Sequence, residues 1–202
     1  MTQDAVDKFR KGKELCLKNF EMWIDEARIL DQKGSWGHAF ALTFAGLESL
    51  VQAYCCMYVE RGIWEPDSKE IKEVFNKTNK GHKKRMKILH DFILSENNIQ
   101  TILKHTDQFH VLLRNFTEKD VAKYQKEIAD SLGKFRKYLM KKRNLGMYVD
   151  YNEDTYEFKS PFHITKKDID ELMELTILPV RIMRMMIENE AYTKIWDFRE
   201  KY

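Results

Sequence analysis

The sequence predicts an all-α fold, a bundle of four to five core helices with additional short helices. Only 8 glycines and 3 prolines occur among its 202 residues, which leaves few breaks for the many turns of an all-β fold. In several long segments the apolar residues recur at steps of three, four and seven, the pattern of an amphipathic helix. With 43% apolar residues, the chain can bury one substantial core, so we expect a single domain over residues 1–202.

The first two helices have the clearest patterns. The first helix carries one apolar stripe and ends at Lys33-Gly34, and Ser35 is a suitable N-cap for the next helix. The stripe comprises Phe9, Cys16, Phe20, Trp23, Ala27 and Leu30. The second helix, which we expect to end at about Glu60, is apolar almost all round. It is therefore predicted to be the buried centre of the bundle.

Glu48 interrupts this apolar second helix. The competing interpretation of the helix, a membrane span, is disfavoured because Glu48, Ser49 and Gln52 would lie near the middle of the bilayer. Inside a protein, a buried carboxylate costs several kcal/mol unless an Arg, Lys, His or hydroxyl group reaches it. Two roles stay open for Glu48: a structural pair within the bundle, or the orientation of a catalytic cation.

Weaker patterns divide the rest of the chain. We expect helices over 68–75, 82–94 and 99–116, then a long helix that begins at a capping box at Thr117 and ends at Arg143. Residues 151–160 are polar, aromatic and β-prone, which is typical of a small hairpin or an ordered loop. Thr165 and Asp168 are placed to cap a final helix that continues to about Ile187.

Several classes of protein are disfavoured. No secretory signal opens the chain, so we expect a cytoplasmic protein. Its cysteines, Cys16, Cys55 and Cys56, lack metal-ligand spacing and are expected to be free core residues without a metal or cofactor. The net charge of +3 by itself implies no polyanionic partner.

The segment from Arg143 to Asp150 combines a cation, an amide, a phenol and a carboxylate directly after a basic helix. If helical structure persists through Gly146, Asn144 and Tyr148 lie four residues apart and project from one face, with Arg143 beside them. These are the groups that bind and orient a phosphate. The segment is therefore a candidate phosphate site.

Two basic clusters flank this segment. The first comprises Lys77, Lys80, Lys83, Lys84, Arg85 and Lys87, and the second comprises Lys134, Arg136, Lys137, Lys141, Lys142 and Arg143. A cluster of this kind is usually a solvated helix face. Two clusters around one candidate site make backbone phosphates of RNA an alternative, with Lys83, Lys84, Lys137, Lys141 and Lys142 as the contacts.

These features together resemble the AbiV-type abortive-infection proteins, bacterial anti-phage proteins of the HEPN superfamily of helical bundles. The resemblance rests on Ala45-Gly46-Leu47-Glu48, Gly81-His82-Lys83-Lys84, Arg143 to Asp150 and Ser160-Pro161. It covers about residues 10–190. It implies a metal-independent endoribonuclease that works as a homodimer, with an Arg-Asn-x-x-x-His motif from each subunit facing a shared cleft.

Arg143 and Asn144 match the first two positions of that motif, whereas Tyr148 stands where histidine is expected. Imidazole exchanges protons near neutral pH, while a phenol is mainly a hydrogen-bond donor there. The resemblance implies that Arg143 stabilises phosphate charge, that Asn144 orients it, and that Tyr148 holds the phosphate or acts as a general acid.

His82 is the candidate for the missing base, either within one subunit or across the dimer. Its alternative role is that of an exposed residue at a helix start. Glu48 and Asp150 would then be supporting residues that fix the cation.

Two functions of different class follow. The first is a ribonuclease toxin that shuts down translation in infected cells after a phage component activates it. The second is a non-catalytic HEPN-fold module that binds RNA or protein, as a toxin–antitoxin or phage-sensing partner. Both predict RNA affinity that falls with salt.

Overall fold

The computed structural model describes residues 2–94, 142–143, 146, 150–152 and 157–188. This part of the chain is mostly helical, which confirms the all-α prediction. Its elements in chain order are α1 (Gln3–Gln32), α2 (Trp36–Glu60), α3 (Lys69–Val74), α4 (Asn79–Leu94), β1 (Asp150–Asn152), β2 (Glu157–Lys159), a 3₁₀ turn (Pro161–His163) and α5 (Lys166–Glu188). The helices predicted over 99–116 and from Thr117 to about residue 141 lie outside the described residues.

Helix α1 ends where its sequence predicts. The Thr2 hydroxyl accepts a hydrogen bond from the Ala5 amide at 3.4 Å and caps the N-terminus. At the other end Gly34 has a φ of +73°, a left-handed conformation that glycine adopts without strain and that commonly terminates a helix. The chain then turns directly into α2, which packs along α1.

Helix α2 is the centre of the fold. Nineteen of its 25 residues are buried, and it packs against α1, α3, α4, α5 and the 3₁₀ turn. Each large apolar side chain buried here contributes about 1.5–3 kcal/mol relative to exposure. By length and composition α2 could also cross a membrane, with a mean hydropathy of 1.3 over 18 residues. However, 83% of that window is buried inside the protein, as in the core helix of a globular domain.

The α3–α4 connection differs from its prediction in one respect. Helix α3 lies within the expected range, but α4 begins at Asn79 rather than at His82. The cause is local, because the Asn76 side chain accepts hydrogen bonds from Thr78, and the Thr78 hydroxyl accepts one from the Lys80 amide. These hydrogen bonds start α4 about one helical turn earlier than the apolar pattern predicts. His82 therefore lies within α4 and not at its first residue.

The C-terminal elements form a hairpin and a capped helix. Strands β1 and β2 are antiparallel, with Tyr151 opposite Phe158, so the small hairpin that was one of two predicted outcomes is present. The Asp168 carboxylate accepts hydrogen bonds from the Thr165 amide and hydroxyl at 2.7 and 2.9 Å. This confirms the predicted cap of the final helix.

Cys16, Cys55 and Cys56 are free thiols. A hydrogen bond with Cys56 lowers the pKa of the Cys16 thiol and raises that of Cys56, and burial raises the pKa of Cys55. Cys16 is only partly buried, whereas Cys55 and Cys56 are buried. Since an accessible thiolate is the nucleophile, iodoacetamide is expected to modify Cys16 first in the folded protein. Peptide mass spectrometry over a time course at about pH 8 measures the three rates.

Cys56→Ala is the matched control, because it removes the group that stabilises the Cys16 thiolate. It should slow the labelling of Cys16. Equal labelling rates for all three thiols in the folded protein would contradict this account.

Candidate functional site

One face of α2 carries the candidate site. Gly37, Ala41, Phe44 and Glu48 lie at steps of four, three and four, so they line up along one side of the helix. The segments that the sequence singles out as functional contact this face in order along its length. The row spans about 16 Å along the helix axis at 1.5 Å per residue.

Two glycines bring the motif segment, which is the segment from Arg143 to Asp150, against this row of α2. Gly146 is helical and buried, and a Cβ atom on it would lie 2.5 Å from the carbonyl oxygen of Gly37 and 3.2 Å from the Cβ of Ala41. Gly37 has no more room, since its own Cβ would lie 2.5 Å from the carbonyl oxygen of Pro161. The backbones of three segments therefore meet at a point that only glycine permits.

This contact places Arg143 over the next position of the row. The Arg143 guanidinium lies 5.7 Å from the centre of the Phe44 ring, within range of a cation–π interaction. Phe44 is fully buried, so it provides a fixed surface for the guanidinium. Lys142 and Arg143 are helical, as Gly146 is.

At the fourth position, Glu48 meets His82. The Nδ1 atom of His82 lies 2.6 and 2.8 Å from the two carboxylate oxygens of Glu48. The Glu48 side chain is 8% exposed and that of His82 is 17% exposed. The surface role considered for His82 is therefore wrong, and the prediction that a cation or histidine reaches Glu48 is confirmed.

Arg85 is the other partner of Glu48, and it is not among the site residues predicted from the sequence. Its side chain is only 6% exposed and its Nη2 atom lies 3.3 Å from the Glu48 carboxylate. Its Nη1 atom donates to the carbonyl oxygens of Val74 at 2.5 Å and Asn76 at 3.3 Å. Placing Arg85 in an exposed basic cluster was incorrect, because it ties α4 and the α3–α4 connection to α2.

A signal for Arg85 was present in the sequence. The buried positions of α4 include Gly81, Arg85, Leu89 and Phe92, at steps of four, four and three. That spacing puts Arg85 on the apolar face. Gly81 makes the approach possible, since a Cβ atom there would lie 1.8 Å from the Asn76 carbonyl oxygen.

The fourth member of the network is Arg143, whose Nη2 atom lies 3.2 Å from Nε2 of His82. A guanidinium only donates, so Nε2 accepts, and Nδ1 carries the proton that His82 donates to Glu48. Arg85 Nη2 lies 2.8 Å from His82 Nδ1 because both groups donate to the same carboxylate. The Glu48 carboxylate thus accepts from Nδ1 of His82, and Nε2 faces Arg143.

This arrangement has the parts of an acid–base site. The Glu48 carboxylate holds one nitrogen of the His82 imidazole, and the other nitrogen faces the Arg143 guanidinium, a type of group that can bind phosphate. Within the described ranges, no group of three or more His, Cys, Asp or Glu residues could hold a metal ion.

Comparison with known families accounts for most of this chain. A model of the AbiV family of HEPN proteins matches residues 8–176, which include Glu48, His82, Arg85 and Arg143. The chain belongs to the AbiV family. Membership points to a role in abortive infection. A search of curated proteins and a search of solved structures found no match.

Among the described residues, two of the basic side chains that this AbiV protein was predicted to use for RNA form ion pairs. Lys83 is exposed, but Lys84 lies 2.8 Å from Glu73, and Lys142 forms an ion pair with Asp168. Lys137 and Lys141 lie outside the described residues. Of the five predicted RNA contacts, the structure therefore shows Lys83 alone with an exposed side chain among those it describes.

The remaining predicted site residues are described only in part. Asn144 and Tyr148 lie outside the described residues. Asp150 begins β1, where it pairs with Lys159. What the structure brings together is Glu48, His82 and Arg143, with Arg85 added.

Replacing Arg85 tests the anchoring of Glu48. Arg85→Met keeps most of the side-chain volume but leaves the Val74 carbonyl and one side of Glu48 without their donor. Breaking a buried ion pair in this way costs about 3–5 kcal/mol, so urea unfolding should show a loss of that size. Lys87→Met is the control: Lys87 lies on the same helix with 54% of its side chain exposed, and its loss should cost less than about 0.5 kcal/mol.

Replacing Gly146 tests the backbone contact that positions Arg143. Gly146→Ala forces α2 and the motif segment apart and should destabilise the protein by about 1–3 kcal/mol. Gly12→Ala is the matched control, because a Cβ on Gly12 meets only the Cys56 sulfur, at 3.4 Å. Alanine there should be neutral or stabilising. Equal thermal unfolding temperatures for Gly146→Ala and the wild type would contradict the packing argument.

Proposed function

We propose that this AbiV protein is a metal-independent endoribonuclease that acts in the cytoplasm as an anti-phage toxin and shuts down translation. A phage component activates it, and it works as a homodimer on RNA. The observation that carries the proposal is the chain of contacts from Glu48 through His82 to Arg143. It gives a base, the residue that orients the base, and a phosphate-binding cation within one subunit.

The chemistry uses the ribose 2′-hydroxyl of the substrate as the nucleophile. Nε2 of His82 accepts the hydroxyl proton, and the 2′-oxygen attacks the adjacent phosphorus and forms a 2′,3′-cyclic phosphate. The bond from phosphorus to the 5′-oxygen breaks, and that oxygen takes a proton from a general acid. Tyr148 is the candidate acid, and Asn144 orients a phosphate oxygen.

Arg143 has two successive roles, one before and one after the substrate binds. Without substrate it donates to Nε2 of His82. When a phosphate binds, its oxygens are stronger acceptors than imidazole, so the guanidinium turns to them and releases the Nε2 lone pair for the 2′-hydroxyl. Arg143 then stabilises the negative charge that grows on the phosphate in the transition state.

The Glu48 carboxylate completes the base. It keeps the proton of His82 on Nδ1 and stabilises the imidazolium that forms when Nε2 takes the second proton. Arg85 holds Glu48 from its other side. Asp150 and the basic residues Lys83, Lys84, Lys137, Lys141 and Lys142 are proposed as supporting and RNA-contacting groups.

A second function is a non-catalytic HEPN-fold module that binds RNA or protein. The observation that favours it is Tyr148, which occupies the position where the superfamily motif expects histidine. In that case the network around Glu48 is a structural ion pair. The two proposals make the same prediction for RNA affinity and opposite predictions for cleavage.

The purified protein, mixed with lysate from phage-infected cells to supply the activator, is expected to cut RNA in the presence of EDTA. Arg143→Ala should lower the rate about 10²–10³-fold, as for loss of a transition-state donor, while circular dichroism shows an unchanged fold. Arg28→Ala, with 67% of its side chain exposed, is the control and should cut normally. RNA that stays intact with an activator shown to bind the protein would favour the binding module.

The roles of His82 and Tyr148 are separated by their pH–rate profiles. His82→Ala should lower the cleavage rate about 10²–10⁴-fold and remove the rise of the rate with pH that an imidazole base imposes. Tyr148→Phe should keep that rise and change the alkaline side of the profile. If His82→Ala cuts at the wild-type rate, the assignment of the base is incorrect.

A further inference from the structure

Two cysteine side chains meet where α1 packs against α2. Cys16 lies on α1 and Cys56 on α2, and a hydrogen bond joins their thiols. The two helices come close together here, because a Cβ atom on Gly12 would lie 3.4 Å from the Cys56 sulfur. Gly12 and Cys16 are four residues apart on one face of α1. That face therefore presents Cys16 to Cys56 where the backbone of α1 passes close to the Cys56 side chain.

The two thiols of this pair are not equivalent. Cys16 is only partly buried, whereas Cys56 is buried. The Cys56 thiol donates to the Cys16 sulfur, so the hydrogen bond lowers the pKa of Cys16 and raises that of Cys56. An accessible thiolate beside a second thiol is the arrangement of a redox-sensing cysteine and its resolving partner.

Space filling is the competing role of this pair, since free thiols behave as small core residues. That role does not explain why Cys16 is partly exposed. A disulfide requires two Cα atoms about 4.4–6.8 Å apart, so the two backbones must approach closely. Gly12, which has no side chain, permits that approach one helical turn before Cys16. The contact is therefore suited to a bond between two sulfurs that are already hydrogen-bonded.

We propose that Cys16 and Cys56 form a peroxide-sensing dithiol that closes into a reversible disulfide between α1 and α2. The Cys16 thiolate attacks one oxygen of hydrogen peroxide, the O–O bond breaks, and the hydroxide released takes up the proton that Cys16 lost. The Cys56 sulfur then attacks the resulting Cys16 sulfenic acid, the S–O bond breaks, and the hydroxide leaves with the Cys56 proton as water. Two electrons pass from the two sulfurs to the peroxide, and a thiol reductant reverses the change by disulfide exchange.

The disulfide would fasten α1 to the central helix of the fold. It encloses about 40 residues of chain, and a loop of that size restricts the unfolded chain and so stabilises the folded protein. In a reducing compartment such a bond forms transiently, when an oxidant is present. Cys56 lies about 12 Å along α2 from Glu48, so the bond does not involve the candidate site. The proposal stands or fails independently of RNA cleavage.

Peptide mass spectrometry tests the bond after the full chain is treated with hydrogen peroxide and its free thiols are blocked under denaturing conditions. The wild type is expected to yield Cys16 and Cys56 in one disulfide-linked pair. Cys56→Ala should leave Cys16 as a sulfenic acid that dimedone traps. Cys55→Ala is the matched control, because Cys55 lies about 100° around α2 from Cys56, and it should form the bond as the wild type does. A wild type that stays reduced, links through Cys55 or oxidises Cys16 without linkage overturns the proposal.

Thermal unfolding tests whether the bond fastens the two helices. The oxidised wild type should unfold about 5–10 °C above the reduced protein, because the disulfide restricts the unfolded chain, and dithiothreitol should abolish the difference. Cys56→Ala treated with peroxide in the same way should show no such rise, whereas Cys55→Ala should show it. A wild type that carries the bond yet unfolds at or below the temperature of the reduced protein overturns the stabilising role.

Discussion

The fold depends on the need to satisfy one buried carboxylate. Glu48 lies in the most apolar helix of the protein and is 6% exposed, and an unpaired charge there would cost several kcal/mol. His82 and Arg85 satisfy it from successive turns of α4. Because Arg85 also bonds to the Val74 and Asn76 carbonyls, the same requirement fixes how α4 and its preceding connection lie on α2.

The sequence predicts that Glu48 needs a partner, but it points to only one of the two partners. The apolar pattern around Glu48 predicts that a cation or histidine must reach it, and His82 was already a candidate base. Arg85 was not predicted as a partner, because it stands in a run of lysines and such a density of charge suggests solvent exposure. Its spacing from Gly81 and Leu89 carries the correct information, since a helical period reports the face of a residue and a charge count does not.

Local signals predicted the element boundaries where a single residue decides them. Gly34 ends α1, and Asp168 caps the start of α5. The apolar pattern predicts the start of α4 too late, because three hydrogen bonds between Asn76, Thr78 and Lys80 start the helix before the first apolar residue. The contact between Arg143 and His82, which are 61 residues apart, required tertiary packing that no local pattern contains. The family match covers both residues but gives no distance between their side chains.

Arg143 and His82 both rest on the same face of α2, at Phe44 and Glu48. A substitution in α1 or α5 that shifts α2 would carry both supports together and leave the separation of the two side chains nearly unchanged. Mutations on the far side of the molecule should therefore reduce how much folded protein a cell accumulates more than they alter what each folded molecule does. Genetic variation can then adjust the amount of folded protein through remote positions, while changes to its chemistry are confined to the row on α2 and to the side chains that contact it.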